Sequence, residues 1–99
     1  MRITENQRKI ILEVIRSVLG EKVIVILFGS RVDEKKRGGD IDLLIESQTF
    51  LENPADLKAH LLAKLKMALG DRKMDLLLSA PNLMHQPIHD VAKQTGVIL

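Results

Sequence analysis

Hydrophobic residues along the chain show two different spacings, in segments separated by glycine and proline. Between residues 4 and 19, apolar side chains recur every three or four positions among charged ones, which predicts an amphipathic helix. Thr4 is expected to cap this helix, with Gln7 as its capping-box partner. Gly20 is expected to end it.

Three short apolar runs predict strands. The run at 23–28 is continuous, rich in β-branched residues and followed by glycine, which favours a strand buried on both faces. The runs at 40–46 and 74–79 predict a second and a third strand. Between them, Asn53 and Pro54 predict a helix start and Gly70 its end. A leucine stripe at helical spacing lies between these limits, and it is expected to face the core, alone or together with an interface.

A last helix is expected from about Pro81 to about Gln94, with Gly96 as its stop. Its inward face is predicted to hold Leu83, Met84, Ile88 and Val91. Residues 97–99 predict a short edge strand. The alternation of strands and helices predicts one α/β (α+β) domain over residues 1–99, with helices packed on a small mixed sheet of three to four strands.

The composition narrows the classes of partner. The formal net charge is only +2 and the aromatic residues are only Phe28 and Phe50, so nucleic acid is not expected as a direct partner. No apolar run approaches the roughly 20 residues that cross a bilayer. The chain contains no cysteine, which suits a reducing cytoplasm.

Candidate chemistry lies in the second and third predicted strands. Asp40 and Asp42 are one residue apart, so their side chains point to the same face of a strand. Asp75 stands near the start of another apolar run, where an aspartate is unexpected in a purely structural strand. If these strands are neighbours, three carboxylates converge. Carboxylate oxygens suit Mg²⁺ or Mn²⁺, and such a site can support phosphoryl transfer.

A second candidate feature follows the first strand. Gly29 lets the backbone approach a ligand closely, and Ser30 offers a hydroxyl and an N–H. Arg31 carries a guanidinium that matches phosphate geometry. These three residues predict a cradle for nucleotide phosphates. Other basic residues of the following loop are expected to be solvated.

Some conspicuous residues are predicted to have no catalytic role. His85 and His89 are spaced for one helix face, but the glutamate of a zinc-protease motif is missing and Pro87 lies between them. They are expected at the surface or facing a partner. The side chains of Met67, Met74 and Met84 are expected to fill gaps in the core.

The sequence resembles the DNA polymerase β-like nucleotidyltransferase superfamily. The resemblance is carried by Phe28-Gly29-Ser30, by Asp40-Ile41-Asp42-Leu43 after nine intervening residues, and by Met74-Asp75-Leu76. It covers nearly the whole chain and is nearest to the minimal members. Many of those pair with a HEPN-family (higher eukaryotes and prokaryotes nucleotide-binding) helical protein, often as the antitoxin of a toxin–antitoxin system.

The resemblance implies specific roles. Gly29 and Ser30 would hold the phosphates, and Asp40 and Asp42 would bind both metal ions. Asp75 would bind the catalytic metal and help to activate the acceptor hydroxyl. The implied reaction is transfer of AMP from ATP to a hydroxyl, such as a tyrosine of the partner.

Two alternatives remain open at this stage. Asp33 stands where many relatives carry a second arginine, and its negative charge would oppose a triphosphate. The chain could therefore be a catalytically weak or inactive module that neutralises its partner by contact. Alternatively, it could transfer a nucleotide to a small molecule bound by a separate subunit.

Overall fold

The computed structural model describes residues 3–29, 41–70 and 73–99. Its elements, in chain order, are α1 (Glu5–Leu19), β1 (Val23–Phe28), β2 (Ile41–Ser47), α2 (Pro54–Leu69), β3 (Met74–Ser79), α3 (Pro87–Thr95) and β4 (Val97–Ile98). No helix in these three ranges is long and apolar enough to cross a membrane.

The strands form one mixed sheet in the order β3-β2-β1-β4. β1 is antiparallel to both of its neighbours, β2 and β4. β2 and β3 are parallel, with α2 as the crossover between them. The predicted fold class is therefore confirmed. The short edge strand β4 was also predicted correctly.

The two faces of the sheet carry cores of different size. One face packs on α1 and α2 through a large cluster that includes Ile15, Leu43 and Leu65. The leucine stripe of α2 accordingly belongs to this core. The other face carries only a small cluster under α3. Its buried members are Ile26, Phe28, Leu44 and Ala92.

The start of α1 follows the sequence closely. The Thr4 hydroxyl accepts the backbone N–H of Gln7 at 3.0 Å, and the Gln7 side chain accepts the backbone N–H of Thr4 at 2.9 Å. The start of α2 differs in detail. Pro54 is its first residue as predicted, but Asn53 has a left-handed backbone (φ 47°) and its side chain makes no capping bond.

The prediction for the last helix was wrong about the residue at which it starts and about which of its residues are buried. α3 begins at Pro87, because a residue before proline avoids the helical region and Gln86 is extended (φ −120°, ψ 154°). Val91 is consequently 50% exposed and Ile88 is 40% exposed. The buried positions of α3 are instead His89 and Ala92.

The methionines were predicted correctly in one case of three. Met74 is buried in the main core, as expected of a gap-filling side chain. Met67 on α2 is 88% exposed, and Met84, in the loop before α3, is 82% exposed. A flexible apolar side chain in the sequence does not reveal which face of an element carries it.

Candidate active site

A row of side chains crosses three strands at one end of the sheet. Phe28 is the register partner of Asp42 across β1 and β2, and Asp42 is the register partner of Asp75 across β2 and β3. Register partners point to the same face, and adjacent strands lie about 4.8 Å apart. The two carboxylates therefore stand side by side on the face that carries α3.

The residues of this row differ in exposure, since Phe28 is buried and the two carboxylates are not. The row lies where β1 ends and where β2 and β3 begin. The next row of the same face, which includes Leu44, is covered by α3 through Ala92. Asp42 is half-buried and Asp75 is exposed. Asp75 is therefore directly accessible to a ligand, and Asp42 is accessible in part.

Gly29 places the backbone directly against Asp42. It has a positive φ of 77°, a conformation that other residues rarely adopt. A Cβ atom at this position would also collide with Oδ2 of the Asp42 carboxylate. Glycine is thus required here for two independent reasons. The close approach keeps the turn after β1 in contact with the carboxylate row.

The donor atoms of Asp42 and Asp75 decide which ion the pair could hold. Their oxygen atoms are hard donors of the kind that Mg²⁺ prefers, and the exposure of Asp75 leaves room for water as a further ligand. The residues present therefore fit a divalent cation. Within the described ranges, no three His, Cys, Asp or Glu side chains come together as a complete metal site.

Three predicted site residues lie outside the described residues: Ser30, Arg31 and Asp40. Their roles stay predictions, as does the effect of Asp33, which also lies outside. The structure brings together Gly29, Asp42 and Asp75. The roles of these three in binding metal or nucleotide likewise stay predictions.

His89 was predicted at the surface, and that prediction was wrong. Its side chain is buried at the start of α3, where Nδ1 accepts the backbone N–H of Gln86 at 3.1 Å. Burial lowers the pKa of His89 below its ordinary value, and the nearby His85 lowers it further. Pro87 signals where the helix starts, but which face of that helix is buried depends on its packing against the sheet.

His85, in contrast, is exposed as expected. Its Nε2 lies 2.9 Å from a carboxylate oxygen of Asp90, and its ring centroid lies 5.2 Å from that of His89. Lys93 of α3 forms a 3.0 Å salt bridge with Glu46 of β2. The first contact joins the loop before α3 to the helix, and the second joins the helix to the sheet.

Surface cavities lined by described residues lie on α1 and along β3. One of about 470 Å³ lies on α1, around Arg8 and Arg16. The other, of about 310 Å³, runs along β3 between the first turns of α2 and α3. Neither is lined by Asp42 or Asp75. The cavity along β3 was not predicted, because it depends on which strand forms the edge of the sheet.

Comparison with known proteins identifies the fold. No protein-family model matches the chain, and a search of curated proteins found no match. A chain in the crystal structure of a toxin–antitoxin with AMP-PNP shares 23% sequence identity, covering 97% of this chain and 72% of that chain, with a TM-score of 0.67. A chain in the crystal structure of a mutant of the toxin–antitoxin MntA-HpeT shares 24% identity, covering 98% and 72%, with a TM-score of 0.68. This chain therefore has the fold of a chain found in toxin–antitoxin structures.

Proposed function

We propose that this chain is a metal-dependent nucleotidyltransferase that transfers AMP from ATP to a hydroxyl group of a partner protein, as the antitoxin of a toxin–antitoxin pair. One observation carries the proposal: Asp42 and Asp75 are register partners on neighbouring parallel strands, beside the close turn at Gly29. The comparisons add support, because one structure of similar fold is a toxin–antitoxin with AMP-PNP.

The carboxylate row would hold the cation. Asp42 and Asp75 supply oxygen atoms from two strands, and we propose that Asp40 supplies a third carboxylate. A bound Mg²⁺ or Mn²⁺ would neutralise charge on the phosphate oxygens. Gly29, with Ser30 and Arg31, would hold the phosphates through backbone N–H groups, a hydroxyl and a guanidinium.

The chemistry required of the protein is mainly positioning. The oxygen of the acceptor hydroxyl forms a bond to the α-phosphorus of ATP, while the bond from that phosphorus to the β-phosphate bridging oxygen breaks and pyrophosphate leaves. The acceptor gives up its proton, and we propose that Asp75, whose side chain is exposed, receives it. Asp42 is half-buried, which suits a residue that orients the nucleotide rather than one that meets the acceptor.

The partner would supply the acceptor. Asp75 is exposed at the end of the sheet where β2 and β3 begin, so an acceptor from another protein can reach it. We propose a helical protein of the HEPN type, whose hydroxyl-bearing residue enters from that end. This assignment follows the resemblance of the sequence and the toxin–antitoxin origin of the two similar structures.

Labelled ATP provides the test. The chain is incubated with the purified protein encoded by the adjoining gene, Mg²⁺ and ATP labelled in the α-phosphate. We expect label on the partner, and loss of at least about a hundredfold in rate for Asp42→Asn, since general acid–base and charge-stabilising groups each contribute about that much or more. Asp56→Asn, an exposed aspartate on α2, is the matched control and should keep the full rate.

Two results would contradict the proposal. Unlabelled partner with the wild-type chain would exclude protein modification, and undiminished labelling by Asp42→Asn would exclude this site. If Asp42→Asn abolished labelling but still neutralised the partner in cells, the chain would act by contact. Mass spectrometry of the products would reveal transfer to a small molecule instead.

A further inference from the structure

The cavity of about 310 Å³ along β3 is a groove on the edge of the sheet. Three consecutive residues of β3, Leu76, Leu77 and Leu78, line it. Successive side chains of a strand point to opposite faces, so consecutive residues share one groove only where it follows the strand edge. β3 is an edge strand of the described sheet, next to β2 alone.

The backbone groups at this edge can be assigned. The carbonyl oxygen of Lys73 accepts the N–H of Ile41 at 3.0 Å, so the backbone of Lys73 faces β2. In a strand, the N–H and C=O groups of successive residues face opposite sides. Leu76 and Leu78 therefore turn their N–H and C=O groups away from β2, into the groove. Such a row is a template for one more strand.

The walls of the groove define the chemistry of its occupant. Pro54 and Ala55 of α2 form one wall, and Leu83 and Met84 from the loop before α3 form the other. These four residues are apolar, and the polar side chains Gln86 and His89 also line the groove. Lys58 is the one permanently charged side chain of the described lining, and no acidic residue lines the groove. The occupant that complements this surface is an extended, apolar polypeptide segment with an acidic residue opposite Lys58.

We propose that this groove binds an extended segment of the partner protein, which adds a strand to β3 and carries the acceptor hydroxyl towards Asp75. Asp75 directly precedes Leu76 in β3, so it lies within about 3–10 Å of the floor of the groove, at about 3.3 Å per residue. The role of the hydroxyl rests on the proposed function. The strand addition rests on the groove alone.

Two substitutions in the groove test whether the partner docks there: one reverses a charge and the other replaces an apolar side chain. Lys58→Glu and Met84→Glu place negative charge against the acidic, apolar segment, and Met84 is 82% exposed, so its replacement leaves the core intact. The control for Lys58→Glu is Lys66→Glu on the same helix, and the control for Met84→Glu is Met67→Glu. Neither Lys66 nor Met67 lines the groove. We expect at least tenfold weaker binding of the adjoining-gene partner for the first pair and unchanged binding for the controls, by titration calorimetry.

A third variant tests the strand addition itself. Leu78→Pro removes the outward N–H, a change that edge strands tolerate because that group is not part of the ladder. We expect it to weaken partner binding at least tenfold. Circular dichroism checks that the variant folds. If it does not, Lys58→Glu and Met84→Glu still decide the matter, because neither side chain belongs to the core.

A second readout separates this inference from the proposed function. Binding of Mg²⁺ and ATP to the chain alone should be unchanged in Lys58→Glu and Met84→Glu and lost in Asp42→Asn. If both groove variants bind the partner as tightly as the wild-type chain does, the docking is overturned even if labelling occurs. If partner binding depends on the groove but the chain does not bind Mg²⁺ and ATP, the proposed function is overturned and the docking is not. Self-association of the wild-type chain that both groove variants abolish would show that a second copy occupies the groove, and would also overturn the inference.

Discussion

Gly29 lies directly against the carboxylate of Asp42: a Cβ atom at position 29 would collide with Oδ2 of that side chain. The contact joins the end of β1 to the start of β2 at the candidate site. It also explains why glycine follows the buried strand, since the backbone there has a positive φ of 77°. The residue thus constrains both the turn and the direction of the carboxylate.

Gly29→Ala should cost more stability than the same change at Gly20. Gly20 also has a positive φ, 86°, but a Cβ atom there would meet nothing within 4 Å. We expect Gly20→Ala to cost about 1–3 kcal/mol from the backbone conformation alone, because a positive φ with ψ 179° is essentially restricted to glycine. Gly29→Ala should cost about 1–3 kcal/mol more because it overpacks against Asp42. Urea unfolding of both variants measures the difference. Equal costs would show that Asp42 moves aside freely.

Asp75→Asn should remove the response of stability to Mg²⁺. Asp75 is exposed, so the substitution itself should change the free energy of unfolding by no more than about 0.5 kcal/mol. A cation that binds only the folded wild-type chain stabilises it by about 2.7 kcal/mol at a hundred times its dissociation constant. Thermal unfolding with increasing Mg²⁺ measures this. Asp56→Asn should respond as the wild type does, and an equal response in Asp75→Asn would place the cation elsewhere.

Gly96→Ala should loosen α3 from the sheet. A Cβ atom at position 96 would strike the Ile26 side chain and the backbone carbonyls of Leu27 and Ala92. Backbone atoms cannot give way as a flexible side chain does, so we expect a loss of about 1–3 kcal/mol. Hydrogen exchange should show the loss in the amides of α3 first. Gln94→Ala, at an exposed position of the same helix, should change stability by less than about 0.5 kcal/mol.

Stability should fall as the pH falls through the range in which His89 titrates. Burial and the neighbouring His85 lower the pKa of folded His89 below its ordinary value of 6.5, while Asp90 and Glu46 act in the opposite direction and Lys93 lowers it further. Between the two pKa values the unfolded chain binds the proton more readily. The contribution of neutral His89 is therefore complete above pH 6.5, declines below it, and is lost once the pH has passed the folded pKa.

Glutamine at position 89 isolates this effect. His89→Gln retains an acceptor for the Gln86 N–H, as in a capping box, but cannot be protonated. Urea unfolding from about pH 7.5 to about pH 5 should therefore show a smaller loss of stability than in the wild type. His60→Gln, on the exposed face of α2, is the control and should keep the wild-type dependence. An unchanged pH dependence in His89→Gln would exclude His89 as its source.

The sequence by itself determined the features that depend on near neighbours. The capping box of Thr4 and Gln7 is formed within one helical turn, and the bounds of β1 and β3 follow from runs of apolar residues. Alternation along a strand placed Asp42 on the face opposite Leu43, and the structure has it there. These features need no knowledge of the rest of the chain, because their hydrogen bonds or periods span only a few residues.

The tertiary structure alone decided which distant segments meet. The parallel pairing of β2 and β3 brings Asp75 beside Asp42, and no local pattern contains that pairing, because the two residues are joined through α2. The burial of His89 and the free edge along Leu76 and Leu78 were likewise settled by packing between elements. Strand order and helix facing minimise exposed apolar surface over the whole domain, which is a property of all the elements together.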